Sequence, residues 1–350
     1  MVKRSAWTAP SAWRQNRDIT VKQVQIGQTG PKVGALGYGA MSFTNFYGPS
    51  TEEGSHAVLD ACLELGIDHI DTSNVYGMGR SENFIGSWLA KRSENPFKIA
   101  TKASIRRGDD GKNYFDNSPE HLEAELDGSL KRMGVDRVDL FYVHRRVQEV
   151  PVEEVAGFLG TLIAKGKIGG FGFSEIAPTT LRRAHAEHPV AAVQSEYSLQ
   201  TRSPEMGLVQ SCAELGATMV AFSPVGRGML TDRPHTLNEA AEYPFLTNNP
   251  RFVEPNLSAN LKNSAEFQAL AADLGLPAAG LAIAWLIAQG DHVLPIPGTR
   301  SVERLRELAV GAERTLTSGE LTQVEKVLPI GWCHGDRYNQ GQWNGPEKYC

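Results

Sequence analysis

STEEGSHAVLDACLELGIDHID, residues 50–71, decides the fold. Ser50 with Glu53 reads as a capping box, and Val58, Leu59, Cys62 and Leu65 recur on one helical face until Gly66 ends the helix. A short apolar strand, residues 67–71, follows at once. The next helix is plainer still: Ser118 caps it, Pro119 suits its first turn, Leu122, Leu126, Leu130 and Met133 share a face, and Gly134 stops it.

Extending this reading along the chain gives strands near 33–37, 97–101, 138–143, 168–173, 191–194, 218–222 and 293–296, eight in all with 67–71. Helical stretches separate nearly all of them. Several strands are apolar throughout, as strands buried on both faces are, and repeated strand-then-helix order implies parallel pairing. Eight such units between Val33 and Val310 fit an α/β fold of the (β/α)8, or TIM-barrel, type better than two open sheets. Segments 21–26 and 31–33, joined around Gly27 and Gly30, predict a hairpin before the barrel. The expected organisation is a mobile arm over 1–20 and one domain over 21–350, with barrel core 33–310 and a C-terminal tail at 329–350. Segment 226–260, rich in Gly, Pro and Asn, predicts a long loop between the last two strands, of a length that is usually functional.

Composition narrows the function. With 35 Lys+Arg against 40 Asp+Glu, a net charge of −5, the chain is not expected to bind nucleic acid. Cys62, Cys212, Cys333 and Cys350 are scattered without a C-x-x-C pair, which argues against a disulfide framework or zinc ribbon and for a reducing, cytoplasmic setting. The first twenty residues lack the apolar core of a secretory signal, and the longest apolar run, 278–288, is shorter than the ~20 residues that span a bilayer. No membrane insertion is expected.

Polar groups end the strands where a packed core needs none: Asp71, Lys102, His144, Ser174 and Gln194. In a barrel of this kind the C-terminal strand ends meet at one mouth, which would gather these residues. Singly, Asp71 with Lys102 also fits a structural ion pair and His144 a satisfied core histidine. Tyr76, in the polar loop 73–80, can project over the same mouth. A phenol ordinarily titrates near ~10, so it donates a proton near neutrality only where a cation favours its phenolate. Lys102 can be that cation, Asp71 can keep the lysine charged, and His144 can hydrogen-bond a substrate oxygen. The set suits reduction of a carbonyl, in which carbon receives hydride and oxygen a proton.

In their local contexts these residues resemble the aldo-keto reductases. The matching words are GIDHIDTSNVYG (66–77), TK (101–102), VH (143–144), GFS (172–174), VQSEYS (193–198), FSPVGRG (222–228) and IPGTR (296–300), in the family's order. The chain looks closest to branches related to potassium-channel β-subunits and pyridoxal reductases. The resemblance implies a barrel that uses NADPH on a small-molecule carbonyl, with Tyr76 as proton donor, Lys102 and Asp71 tuning it, and His144 positioning the carbonyl. It also implies that Ser174 and Gln194 hold the nicotinamide carboxamide, that Phe222 before Ser223-Pro224 stacks on the ring, and that Thr299, Arg300 and Arg304 meet the adenosine phosphate. A channel-type resemblance leaves open a second role, a nucleotide-binding redox-sensing subunit with slow catalysis.

Two positions depart from the family's pattern. Asparagine commonly follows the serine at 174, whereas here Glu175 can accept from an amide but cannot donate. The usual Glu-Asn pair near the adenine reads Glu307-Leu308, which removes one polar contact. Gly226 and Gly228 permit close backbone approach to a pyrophosphate, and Arg227 can meet its charge. No complete G-x-G-x-x-G fingerprint, Walker-type phosphate loop or G-x-S-x-G elbow occurs. His185 and His188 lack a third ligand, so no metal is expected. Met41, Phe43, Phe46, Tyr47 and Trp332 are candidates for an aromatic substrate pocket.

Overall fold

A computed structural model describes residues 22–108 and 110–349. The expected arm at 1–20 lies outside the described residues. Strands Gln23–Gln25 (β1) and Lys32–Gly34 (β2) form the expected antiparallel hairpin. Eight parallel strands follow in one sheet: Tyr38–Gly39 (β3), His69–Asp71 (β4), Lys98–Ala103 (β5), Leu140–Val143 (β8), Phe171–Ser174 (β9), Ala192–Glu196 (β10), Thr218–Phe222 (β11) and Val293–Pro295 (β12). A short hairpin that the sequence reading missed, Ile105–Arg107 (β6) with Asn113–Phe115 (β7), leaves the end of β5.

The sheet curls until its edges meet. Gly37 and Gly39 donate backbone hydrogen bonds of 2.9 Å to Pro295 O and Pro297 O, which closes the barrel. A Cβ on Gly39 would lie 2.8 Å from Ile296 O, so only glycine lets the edges come this close. This corrects the expected first strand at 33–37. The front of that run belongs to the hairpin, and the barrel strand begins at Tyr38. Val24, Ile26 and Val33 of the hairpin pack against the inward-facing Ala100, Leu140, Ala192, Val220 and Leu294, plugging one end of the barrel. The other end, where the strands finish, stays open.

The first helix runs Glu52–Glu64 and is capped by Thr51, which accepts from Gly54 N, rather than by Ser50. The Ser50 hydroxyl is turned the other way, donating to Phe43 O at 2.8 Å. Helix Pro119–Met133 has the expected Ser118 cap and the left-handed Gly134 stop at φ 67°. Helix Ala278–Ile287 is buried against the barrel, and among the described residues no single helix is long and apolar enough to cross a membrane.

Segment 226–260 is not a plain loop. It holds helices Leu237–Glu242 and Pro244–Thr247, and Asn260 already lies inside helix Asn256–Asp273. The signal was Thr236 with Glu239, a capping box that both side chains complete. The tail from Pro329 then folds across the mouth. Trp332 is buried and donates to Leu199 O, so it is core rather than pocket, as is Phe43 against Tyr38.

Candidate active site

At the open end, strand termini deliver four of the expected side chains to one cluster. Lys102, fully buried at the end of β5, donates to Asp71 Oδ1 at 2.5 Å, to Thr72 O at 2.8 Å and to Tyr76 Oη at 3.1 Å. Burial opposes its charge, but Asp71 and Tyr76 outweigh that cost and hold the ammonium above its ordinary value. Gln194 Nε2 donates to the other Asp71 oxygen at 2.7 Å, so the carboxylate is fixed from two sides. His144, at the end of β8, faces Tyr76 edge-on with ring centroids 6.0 Å apart. Burial, then Arg145, then Lys102 push its pKa well below the ordinary histidine value, which leaves the imidazole neutral.

Asp71, Tyr76, His144 and Gln194 floor a cleft of about 1540 Å³, with Lys102 buried beneath them. Drug-sized pockets run to roughly 1,000 Å³, so the space suits a ligand as long as a dinucleotide together with a small substrate. Ser174, Gln194, Phe222, Ser223 and Pro224 line it beside the cluster, then Arg227 and Gly228, and at the far end Thr299, Arg300, Arg304 and Glu307. Ser223, directly after β11, takes a left-handed φ of 51°, which turns the chain sharply into the mouth. At the far end Ser301 caps helix Val302–Glu313, and Arg304 makes no side-chain hydrogen bond or ion pair among the described residues. A guanidinium with no hydrogen-bonded partner at a helix start fits a phosphate. The residues present therefore fit a phosphorylated dinucleotide.

Four expected contacts are placed differently. Glu175 points away from the cleft, only 2% exposed, and its carboxylate is taken by Arg337 of the tail, Ser195 Oγ and Glu196 N. Arg227 does reach the cleft, but its guanidinium stands 3.5 Å from the buried Glu196 carboxylate and 5.4 Å from the Tyr338 ring centre. Gly226 is buried behind the lining, where a Cβ would meet Gln200 Oε1 at 2.5 Å. Arg300 donates to Pro49 O at 2.7 Å, tying the far end to the loop after β3.

Other residues of the mouth escaped the sequence reading. Phe245 stacks on Phe46 with centroids 4.6 Å apart and meets Tyr47 edge-on at 4.8 Å, so segment 226–260 touches the loop after β3 across the cleft. From the tail, Tyr338, Gly341, Gln342 and Asn344 line the same cleft, Tyr338 beside Arg227. Tail and loop are tied together: Asn249 Nδ2 donates to Arg337 O, and Arg251 and Asn260 bond the carbonyls of Gly335 and His334. Glu347 accepts from Arg146, Ala177 N and Thr180. The tail was expected, but not its place over the mouth, because its charged anchors Arg337 and Glu347 pair with Glu175 and Arg146, 162 and 201 positions away.

The barrel agrees with comparisons to known proteins. The aldo/keto reductase family model matches residues 35–329, and the chain belongs to that family. The aldo-keto reductase yakc [NADP(+)] of Schizosaccharomyces pombe is 37% identical over 315 residues, covering 88% of this chain and 92% of the relative. A probable aldo-keto reductase 1 of Glycine max is 35% identical, covering 92% of this chain and 93% of its own length. Among solved structures, the glycerol dehydrogenase AKR11B4 from Gluconobacter oxydans superposes with a TM-score of 0.79 at 25% identity, covering 89% of this chain and 96% of that one.

Proposed function

We propose that the chain reduces an aldehyde or ketone to the alcohol with NADPH. The observation that carries this reading is the Tyr76 hydroxyl, 3.1 Å from a buried, carboxylate-paired lysine and beside a neutral histidine, on the floor of one long cleft. Bound NADPH supplies the hydride. Tyr76 gives its proton to the carbonyl oxygen, and Lys102 meets the negative charge left on the phenol. Asp71, oriented by Gln194, keeps Lys102 protonated where burial alone would not. His144 stays uncharged and lends a hydrogen bond to the same oxygen.

Ser174, Gln194 and Phe222 would hold the nicotinamide end, and Ser223, Pro224 and Gly228 the middle. Thr299, Arg300, Arg304 and Glu307 would take the adenosine phosphate. Arg227 can reach a pyrophosphate only by sharing or leaving Glu196. The decisive experiment mixes the protein with NADPH and a panel of aromatic and aliphatic aldehydes and follows loss of NADPH absorbance. Absence of turnover across the panel defeats the reading, and tight NADPH binding without turnover would instead fit a nucleotide-sensing subunit.

Cofactor choice follows from the far end. Arg300 just precedes the cap of helix Val302–Glu313 and Arg304 sits in its first turn, where a 2′-phosphate gains charge-assisted bonds worth about 1.5–3 kcal/mol each. An Arg300→Ala/Arg304→Ala double variant is expected to weaken NADPH binding by tenfold or more while barely changing NADH binding, as fluorescence titration would read. Equal wild-type affinity for the two cofactors would refute this.

Segment 226–260, in contact with Phe46 and Tyr47, is expected to cover the cofactor. NADPH should then slow hydrogen exchange across it, most at residues 226–230 and around Phe245. An unchanged exchange pattern would deny it that part.

A further inference from the structure

We propose that Ser73 is a positioning residue for His144: its hydroxyl donates to Nδ1 and so fixes the imidazole as the tautomer with its proton on Nε2, the nitrogen left for the substrate. The use of that proton rests on the reductase reading, whereas the hydrogen bond itself does not.

Ser73 follows β4 by two residues and is completely buried. Its Oγ lies 3.2 Å from His144 Nδ1. A serine hydroxyl has a single proton to give, and two other acceptors compete for it, Asn74 Oδ1 at 3.3 Å and Lys102 O at 3.4 Å. Both are more distant, and Lys102 O already accepts from Asn74 N. In this proposal the hydrogen bond goes to the nearest acceptor, the imidazole nitrogen, with the proton staying on the serine oxygen.

A neutral imidazole carries hydrogen on one nitrogen only, so accepting at Nδ1 puts it on Nε2. His144 lines the cleft, and its Nε2 makes no protein hydrogen bond among the described residues. In the opposite tautomer a nitrogen lone pair would face the lone pairs of the carbonyl oxygen, and the contact would be repulsive. With Nε2–H in place, the carbonyl oxygen meets two donors, the imidazole and the Tyr76 hydroxyl, which polarise it for attack at carbon. The backbone that carries the ring is held on both sides, because His144 N donates to Ala103 O at 2.7 Å and His144 O accepts from Arg145 at 2.6 Å.

The test reads the tautomer directly in cofactor-free protein labelled with ¹⁵N-histidine. Long-range ¹H–¹⁵N correlation spectra distinguish the two neutral forms, and a His144→Gln variant identifies the signals that belong to His144. The wild type should give the Nε2–H pattern near neutral pH. In Ser73→Ala that pattern should give way to the Nδ1–H form or to a mixture of the two. In the same variant kcat for an aldehyde should fall about tenfold, the worth of one such hydrogen bond, with NADPH affinity unchanged. An Nδ1–H pattern in the wild type overturns the proposal, as does a Ser73→Ala variant whose spectrum matches wild type. If no aldehyde is reduced while the Nε2–H pattern depends on Ser73, the reductase reading fails and the role of Ser73 stands.

Discussion

Tyr76→Phe is expected to lower the rate of carbonyl reduction by about 10²–10⁴-fold, the range a positioned general acid supplies. The substitution removes one oxygen and keeps the ring, which lies 4.7 Å from Lys102 Nζ and edge-on to His144. The packing of the mouth should survive. NADPH affinity should therefore match wild type, while single-turnover oxidation of bound NADPH by an aldehyde slows by the full factor. A Phe variant with wild-type single-turnover rates would mean that the proton comes from elsewhere, with His144 the next group to examine.

Lys102→Met is expected to damage both chemistry and stability. It takes the cation from beside Tyr76 and leaves Asp71, 1% exposed, with Gln194 as its remaining side-chain donor. Removing one partner of a buried ion pair typically costs ~3–5 kcal/mol, because the other charge stays buried and uncompensated. A second substitution, Asp71→Asn, should restore much of the melting temperature without restoring turnover, which separates the two effects. In the wild type the folded lysine titrates above its ordinary value of 10.5. Its stabilising contribution is thus complete below that pH and is lost only as pH climbs through the raised value. Thermal unfolding should show no loss from this pair between roughly pH 6 and 9. A Lys102→Met protein as stable and as active as wild type would mean that the pair is incidental.

Much of this was legible in the chain because the barrel repeats a local rule. Each strand is short, apolar and followed by a helix, so Asp71, Lys102, His144, Ser174 and Gln194 could be read as strand ends without knowing a single distance. Helix Pro119–Met133 was readable to the residue, because cap, first-turn proline and glycine stop are all local signals. Local signals also misled where two neighbours compete. Ser50 and Thr51 read as equivalent caps until the fold turns the Ser50 hydroxyl toward Phe43 O and the Thr51 hydroxyl toward Gly54 N. The first barrel strand was misplaced because the apolar run at 33–37 serves two sheets in succession, and only the closure of the barrel decides where one ends. Glu175 was the hardest position. A carboxylate after the strand-end serine reads as a weaker ligand for an amide, and nothing nearby in sequence announces Arg337, 162 residues further on.

The way the mouth is assembled bears on how such a protein can change over generations. The side-chain bonds that join Asp71, Tyr76, Lys102, Gln194 and Ser73 to His144 stay within the barrel and the loop after β4. The tail carries Tyr338, Gln342 and Asn344 to the lining of the cleft, held by Glu347 and by the Arg337–Glu175 pair. Mutations between 338 and 344 can therefore reshape what the cleft admits without disturbing the reacting groups, provided the two anchors persist. The anchors have no such freedom, since losing Arg337 strands a buried carboxylate next to Ser174. Variation that explores new substrates should accumulate in the span between the anchors, with the anchors themselves drifting only as pairs.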